Sequence, residues 1–185
     1  MSAMIIEYGS DSALLCGKLL KEGMVGIIPC DTIYGLCAMK CEESKERLFE
    51  IKNRMHTKSF ITLLTEKQLL ETDLVFDSDL LSLWPNPLTA VLASRSGGTD
   101  AVRIPSDPFL QAVLPVSGPI YSTSVNISGL PNMNYFDEIL PVFGDKVDFI
   151  VRSSFEKPGI PSTLIDATKK PYQVIRQGAF RLDSI

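Results

Sequence analysis

Histidine and paired cysteines are scarce in this chain, and their scarcity excludes several kinds of site. Only one histidine, His56, occurs in 185 residues, and the four cysteines include no CxxC pair. This spacing gives no support to a Ser-His-Asp or Cys-His catalytic system, a zinc site or a disulfide framework. We therefore expect the thiols of Cys16, Cys30, Cys37 and Cys41 to be reduced and mostly packed, as in a reducing compartment.

Long apolar runs are also missing. No segment approaches the roughly 18 to 20 apolar residues that a membrane-spanning helix needs, and the first residues lack the pattern of a secretory signal. The formal net charge of −4 argues against a general polyanion binder. We therefore expect a cytoplasmic protein without membrane contact, in which any basic surface is local.

Two familiar nucleotide-binding motifs are absent as well. The chain contains neither GxxxxGK[ST] nor GxGxxG, so a nucleotide would have to bind by another arrangement.

The alternation of apolar patterns predicts one α/β domain over residues 1–185, with a twisted, mixed β-sheet flanked by helices. No linker, low-complexity segment or internal repeat divides the chain. The predicted helices cover 10–22, with Ser10 as N-cap, and 42–54, with short helices at about 66–71, 78–83, 107–114 and 135–140. The predicted strands cover 24–29, 34–39, 60–65, 88–94, 101–104, 119–125, 148–151, 163–167 and 172–176.

Residues 119–131, PIYSTSVNISGLP, run from an apolar strand into a row of small hydroxyl and amide groups. With backbone N–H groups at a strand end, such a row can bind an anion. The alternative is a turn whose side chains hydrogen-bond to their own backbone.

Other polar side chains interrupt or follow apolar strands. Asp31 and Thr32 occupy a turn after a buried strand, where ligands of α/β sheets bind, although an Asx turn made by Asp31 is equally compatible. Arg103 and Arg176 lie in apolar strands, where each calls for an anion or an acidic partner. Residues 52–58, KNRMHTK, form a local cationic cluster suited to a polyphosphate or a carboxylate, or alternatively a solvated helix end.

Taken in order, seven segments of this sequence resemble the YrdC/Sua5 (TsaC-like) family of threonylcarbamoyl-AMP synthases in its short single-domain form. They are PCDTIYGL, KNR, PLTAVL, AVRIP, STSVNISG, PSTLID and IRQGAF, and the resemblance extends from about residue 10 to 182. It implies a nucleotidyltransferase with a YrdC-like fold and a basic concave cavity. The implied reaction joins L-threonine, bicarbonate and ATP into threonylcarbamoyl-AMP and pyrophosphate, for the t6A modification of tRNA.

The resemblance also implies roles for individual residues. The residues implied to bind threonine are Thr32, Ser122, Ser162 and Arg103. Arg103 would face the carboxylate of threonine. Those implied to bind ATP are Arg54, Lys58, Thr99, Ser124 and Arg176. The implied catalytic residues are Lys52, Arg54, Ser124 and Asn126. Mg²⁺ is expected to arrive with ATP rather than in a metal site of the protein, and downstream tRNA threonylcarbamoyl-transfer proteins are the expected partners.

Some positions depart from the family pattern. Cys30 replaces a threonine, and Leu63 stands where some members carry a histidine that contacts threonine, so these departures bear on the choice of substrate. The alternatives are a YciO-like paralogue with a different substrate and an RNA-binding, translation-associated module. Lys52 and Arg54 are expected to face the surface, so that alanine at either position abolishes adenylate formation and leaves folding nearly unchanged.

Overall fold

A single mixed β-sheet organises the part of the chain that the computed structural model describes, residues 2–53, 59–154 and 159–182. The strands are β1 (Met4–Glu7), β2 (Gly26–Pro29), β3 (Tyr34–Met39), β4 (Ile61–Leu63), β5 (Leu74–Val75), β6 (Leu88–Ser94), β7 (Thr99–Arg103), β8 (Ile120–Ser124), β9 (Phe149–Arg152), β10 (Thr163–Asp166) and β11 (Gln173–Arg176). Their order across the sheet is β1-β9-β2-β3-β8-β4-β7-β6-β10-β11, and β5 pairs with β6. The predicted mixed α/β architecture is therefore confirmed.

Helices cover both faces of this sheet. They are α1 (Ser10–Lys21), α2 (Glu42–Lys52), α3 (Glu66–Leu70), α4 (Ser78–Ser82), α5 (Pro108–Ser117) and α6 (Phe136–Phe143). The N-cap of α1 is Gly9, so the prediction of Ser10 as N-cap is wrong by one residue. Helix α5 begins where the Asp107 carboxylate accepts hydrogen bonds from the backbone N–H groups of Phe109 and Leu110.

The strand residues divide alternately between two apolar layers. Ile28 and Cys37 pack on one face with helices α1 and α5, whereas their neighbours Ile27 and Leu36 pack on the other face with α2 and α6. A third cluster joins α3 and α4 to strands β6, β7 and β10. Burial on both faces explains why the central strands read as continuous apolar runs.

The four cysteines are free thiols. Cys16, Cys30 and Cys37 are buried and Cys41 is half-buried, which confirms the expectation that the thiols are mostly packed. None of the helices in the described residues combines the length and the apolar content that crossing a bilayer requires.

Candidate active site

Residues of strands β3, β4, β7 and β8 line a cavity of about 810 Å³. Among the described residues that line it, four are cationic, Lys40, Lys45, Arg103 and Arg176, and one is acidic, Asp100. Seven of the residues singled out by the sequence line it: Thr32, Thr99, Ser122, Ser124, Ser162, Arg103 and Arg176. The fold thus brings segments more than a hundred residues apart into one cavity.

The register of the sheet explains how the hydroxyl row reaches this cavity. Ile120 belongs to the apolar layer under α1 and α5, and Ser122 and Ser124 follow it at alternate positions of β8. Alternate residues of a strand share one face, so β8 passes from the core into the cavity. Ser122 pairs with Cys37 and Ser124 with Gly35 on β3.

Gly35 lies against the side chains of Ser122 and Cys30, which leave no room for a side chain at residue 35. A Cβ atom at residue 35 would lie 2.7 Å from Ser122 Oγ and 2.9 Å from Cys30 Sγ, closer than real contacts allow. The Cys37 thiol donates a hydrogen bond to Ser122 Oγ at 3.5 Å. Hydrogen bonding with Cys37, together with burial, raises the pKa of Cys30 well above its ordinary value, so Cys30 remains a neutral thiol near pH 7.

The turn after β2 carries an ion pair that crosses the sheet. Arg103 Nη2 donates to Asp31 Oδ1 at 2.5 Å, and Arg103 Nη1 lies 3.4 Å from the Thr32 hydroxyl. The side chains of Asp31 and Arg103 are 8% and 6% exposed. The Asp31 carboxylate hydrogen-bonds to Arg103, a contact that neither the ligand-site nor the Asx-turn interpretation of this turn included.

Arg176 stands beside this pair. Its Nη2 donates to the backbone carbonyl of Ser162 at 2.9 Å, and the Ser162 hydroxyl hydrogen-bonds to Thr89 Oγ1 at 2.8 Å. Burial, and then the charge of Arg103, lower the pKa of Arg176. A guanidinium group whose charge is disfavoured by a second guanidinium group nearby is a suitable place for an anion.

The segment after β11 fixes this end of the cavity. The Thr163 hydroxyl donates to the carbonyl of Phe180 and accepts from the backbone N–H groups of Gly178 and Phe180. A Cβ atom at Gly178 would lie 2.2 Å from the carbonyl oxygen of Pro161, so only glycine allows this close crossing. The crossing holds Arg176 next to Ser162.

The position of Lys52 contradicts the expectation that this residue faces the surface. It is 2% exposed rather than surface-facing, because its ammonium group points inward to the loop after β8. Lys52 Nζ donates to the carbonyl of Ser124 and, at 2.8 Å, to Asn126 Oδ1, which also accepts from Ser124 Oγ at 2.8 Å. Asn126 Nδ2 in turn donates to the carbonyl of Leu130 at 2.7 Å. Three of the predicted catalytic residues therefore form one hydrogen-bonded network, in which Lys52 holds the loop.

Arg54 and Lys58, predicted to bind ATP, lie outside the described residues. The structure instead reveals cationic side chains that the sequence patterns did not indicate. Lys40 forms an ion pair with Asp100, whose carboxylate also accepts a hydrogen bond from Thr62 Oγ1 at 3.1 Å. These residues meet only through strand pairing, and no local sequence signal identifies them.

Aromatic side chains line part of the same cavity. Phe49, Phe60 and Tyr121 form a continuous series of ring contacts, with centroid distances of 4.7 Å between the phenylalanines and 5.9 Å between Phe60 and Tyr121. The cavity therefore offers apolar surface as well as charge. Within the described residues, no group of three or more His, Cys, Asp or Glu side chains is placed to hold a metal ion.

Known proteins of one family resemble this chain in sequence and structure. A family model for Sua5, YciO and YrdC proteins, described as "Telomere recombination", matches residues 18–178. The threonylcarbamoyl-AMP synthase of Pyrococcus abyssi is 31% identical over 191 residues, which cover 92% of this chain and 55% of that protein. The threonylcarbamoyl-AMP synthase of Vibrio vulnificus is 28% identical over 179 residues, which cover 87% of this chain and 95% of that protein.

A solved structure shows the same similarity in three dimensions. The crystal structure of P. abyssi Sua5 complexed with L-threonine superposes with a TM-score of 0.84 at 26% identity, covering 96% of this chain and 58% of that chain. The chain thus spans little more than half the length of the Pyrococcus proteins that it matches.

Proposed function

The chain belongs to the Sua5/YciO/YrdC family, and on that premise we propose that it is an L-threonylcarbamoyladenylate synthase. In this proposal it acts as a nucleotidyltransferase that converts L-threonine, bicarbonate and ATP into threonylcarbamoyl-AMP and pyrophosphate. Relatives with this activity in their names, and a relative bound to L-threonine, support the assignment.

The observation that carries the proposal is that residues of both proposed substrate-binding sets line one cavity. Thr32, Arg103, Ser122 and Ser162, the residues proposed to bind threonine, all line the cavity, and the threonine carboxylate is proposed to bind at the Arg103 guanidinium group. Thr99, Ser124 and Arg176, proposed to contact ATP, line the same cavity. Two substrates held in one cavity react as an effectively intramolecular pair, which lowers the entropic cost of their encounter.

The reaction consists of two bond-forming steps. The neutral amine of threonine bonds to the carbon of bicarbonate with loss of water, or to the carbon of CO₂ with loss of a proton, and gives a carbamate. A carbamate oxygen then attacks the α-phosphorus of ATP, and the bond to the β-phosphate breaks as pyrophosphate leaves. Both steps gather negative charge, so fixed cations such as Arg103 and Arg176 stabilise the transition states.

The network of Lys52, Ser124 and Asn126 has a positioning task in this scheme. Because the Lys52 ammonium binds the Ser124 carbonyl and the Asn126 amide oxygen, it sets the orientation of the Ser124 hydroxyl at the cavity wall. Mg²⁺ is proposed to enter with ATP and to neutralise part of the triphosphate charge. Asp100, the acidic residue of the described lining, is already engaged with Lys40 and Thr62.

In the cell, the adenylate is proposed to supply the t6A modification of tRNAs that read ANN codons. Its labile mixed anhydride requires transfer proteins that carry the threonylcarbamoyl group onward to tRNA. We assign the reaction to the cytoplasm, which suits the four free thiols.

Pyrophosphate release from ATP tests the proposal. We expect release only when L-threonine and bicarbonate are both present, because the carbamate that attacks ATP needs both. The measurement is a coupled pyrophosphate assay in CO₂-depleted buffer, with each component omitted in turn.

Other outcomes would identify other functions. Bicarbonate-dependent release with a different amine would favour a paralogue with another substrate. No release with any amine, together with RNA binding that weakens steeply with salt, would favour an RNA-binding module.

A further inference from the structure

The ion pair between Asp31 and Arg103 leaves two buried polar atoms unsatisfied. Asp31 Oδ1 binds Arg103 Nη2 at 2.5 Å, whereas Asp31 Oδ2 and Arg103 Nε have no hydrogen-bond partner within residues 2–53, 59–154 and 159–182. Both side chains are at least nine-tenths buried. One atom is an anionic acceptor and the other is a cationic donor.

Such atoms need an explanation, since buried polar groups in native proteins are nearly always hydrogen-bonded. The cost of leaving a buried charged group without its partner is larger than that for a neutral group. Arg103 lines the cavity, and Asp31 lies between Cys30 and Thr32, which line it as well. Asp31 itself is not among the lining residues, so the two unsatisfied atoms lie buried directly beside the cavity wall.

A single ligand class complements both atoms. An α-amino acid carries a carboxylate and an ammonium group on one carbon, so a carboxylate bound at Arg103 places the ammonium group in the immediate surroundings of that guanidinium. An acidic side chain is the natural partner for the ammonium group there. Asp31 is the acid in contact with Arg103, whereas Asp100 is occupied by Lys40 and Thr62.

We propose that Asp31 binds the α-ammonium group of the substrate, so that the Asp31–Arg103 pair selects an α-amino acid as a zwitterion. This inference rests on the proposed function, which places the substrate carboxylate at Arg103. It assigns to Asp31 a binding role that the resemblance did not imply. It also explains why the pair is incompletely hydrogen-bonded without a ligand.

Calorimetric titration of the wild-type protein and Asp31→Asn with two ligands tests the inference. The ligands are L-threonine and (R)-3-hydroxybutyrate, which is threonine without the amino group. Because Asp31→Asn removes a charge-assisted contact, we expect L-threonine to bind about 10- to 100-fold more weakly. The affinity for (R)-3-hydroxybutyrate should stay unchanged or rise, since Arg103 loses a competing anion.

A purely structural role for Asp31 predicts a different result. If Asp31 only neutralised Arg103, the substitution would shift the affinities for both ligands equally, and this result would overturn the inference. Asp148→Asn is the matched control, because Asp148 pairs with Arg47 outside the cavity lining, and we expect it to change neither affinity. Thermal melting checks that each variant is folded.

The affinities of the wild-type protein for the two ligands also test the inference, even if Asp31→Asn does not fold. We expect it to bind L-threonine at least about tenfold more tightly than (R)-3-hydroxybutyrate, and equal affinities would overturn the inference alone. A wild-type protein that binds neither ligand would overturn the proposed function and this inference together.

Discussion

Replacing Arg103 with alanine should both abolish adenylate formation and destabilise the protein by about 3–5 kcal/mol. The activity should be lost because Arg103 is proposed to hold the threonine carboxylate. The stability should fall because Asp31, whose side chain is 8% exposed, would keep a buried charge without its partner. The measurements are pyrophosphate release and urea unfolding of the same purified variant.

A double variant separates the two effects. Removing both charges in Arg103→Met/Asp31→Asn should recover most of the lost stability, since no uncompensated charge remains, but it should recover no activity. Arg47→Ala is the control for a lost arginine outside the cavity lining, and it should retain activity. Full activity in Arg103→Ala would contradict the proposed carboxylate site.

Replacing Lys52 with alanine should have the second large effect, a loss of about 2–5 kcal/mol of folding stability together with loss of activity. The substitution removes a buried four-carbon side chain and leaves the Ser124 carbonyl and Asn126 Oδ1 without their cationic donor. The loop after β8 would then lose its side-chain contact with α2 and keep the backbone hydrogen bond from the Ser128 N–H to the carbonyl of residue 52. Urea unfolding followed by circular dichroism measures the loss.

Lys52→Met distinguishes packing from hydrogen bonding at this position. Methionine keeps much of the apolar volume, so we expect it to recover part of the stability while activity stays low because Ser124 is no longer fixed. Lys21→Ala, at the exposed end of α1, controls for loss of a lysine near a helix end. If Lys52→Ala has the same unfolding free energy as the wild-type protein, that result would instead support the sequence-based expectation that Lys52 faces solvent.

The sequence predicted the elements best where apolar patterns are long. Helices α1 and α2 and the central strands were located within a few residues, because their buried faces repeat regularly. Strand β1 was missed, since Met4 and Ile5 are exposed and β9, the strand with which it pairs, lies about 145 residues away in sequence. Pairing over such distances leaves no local pattern, so the order of strands in the sheet could not be predicted either.

The candidate site was predictable to a similar degree. Arg103 stood out because a charge in an apolar strand needs a partner, and the structure supplies Asp31. Lys52 was misplaced because a lysine at a helix C-terminus ordinarily faces solvent, while its partners Ser124 and Asn126 come from a distant loop. Lys40 and Asp100 were missed because each looks like an ordinary surface charge until strand pairing joins them.

Mass spectrometry of the nucleotide product gives the most direct test of the central claim, that this cavity joins threonine and bicarbonate to AMP. The wild-type protein is incubated with ATP, L-threonine and ¹³C-bicarbonate, and the products are separated rapidly because the mixed anhydride is labile. We predict threonylcarbamoyl-AMP that carries one ¹³C atom and is absent when threonine is omitted. Pyrophosphate and AMP without any labelled adenylate, at times when the adenylate standard survives, would contradict the account.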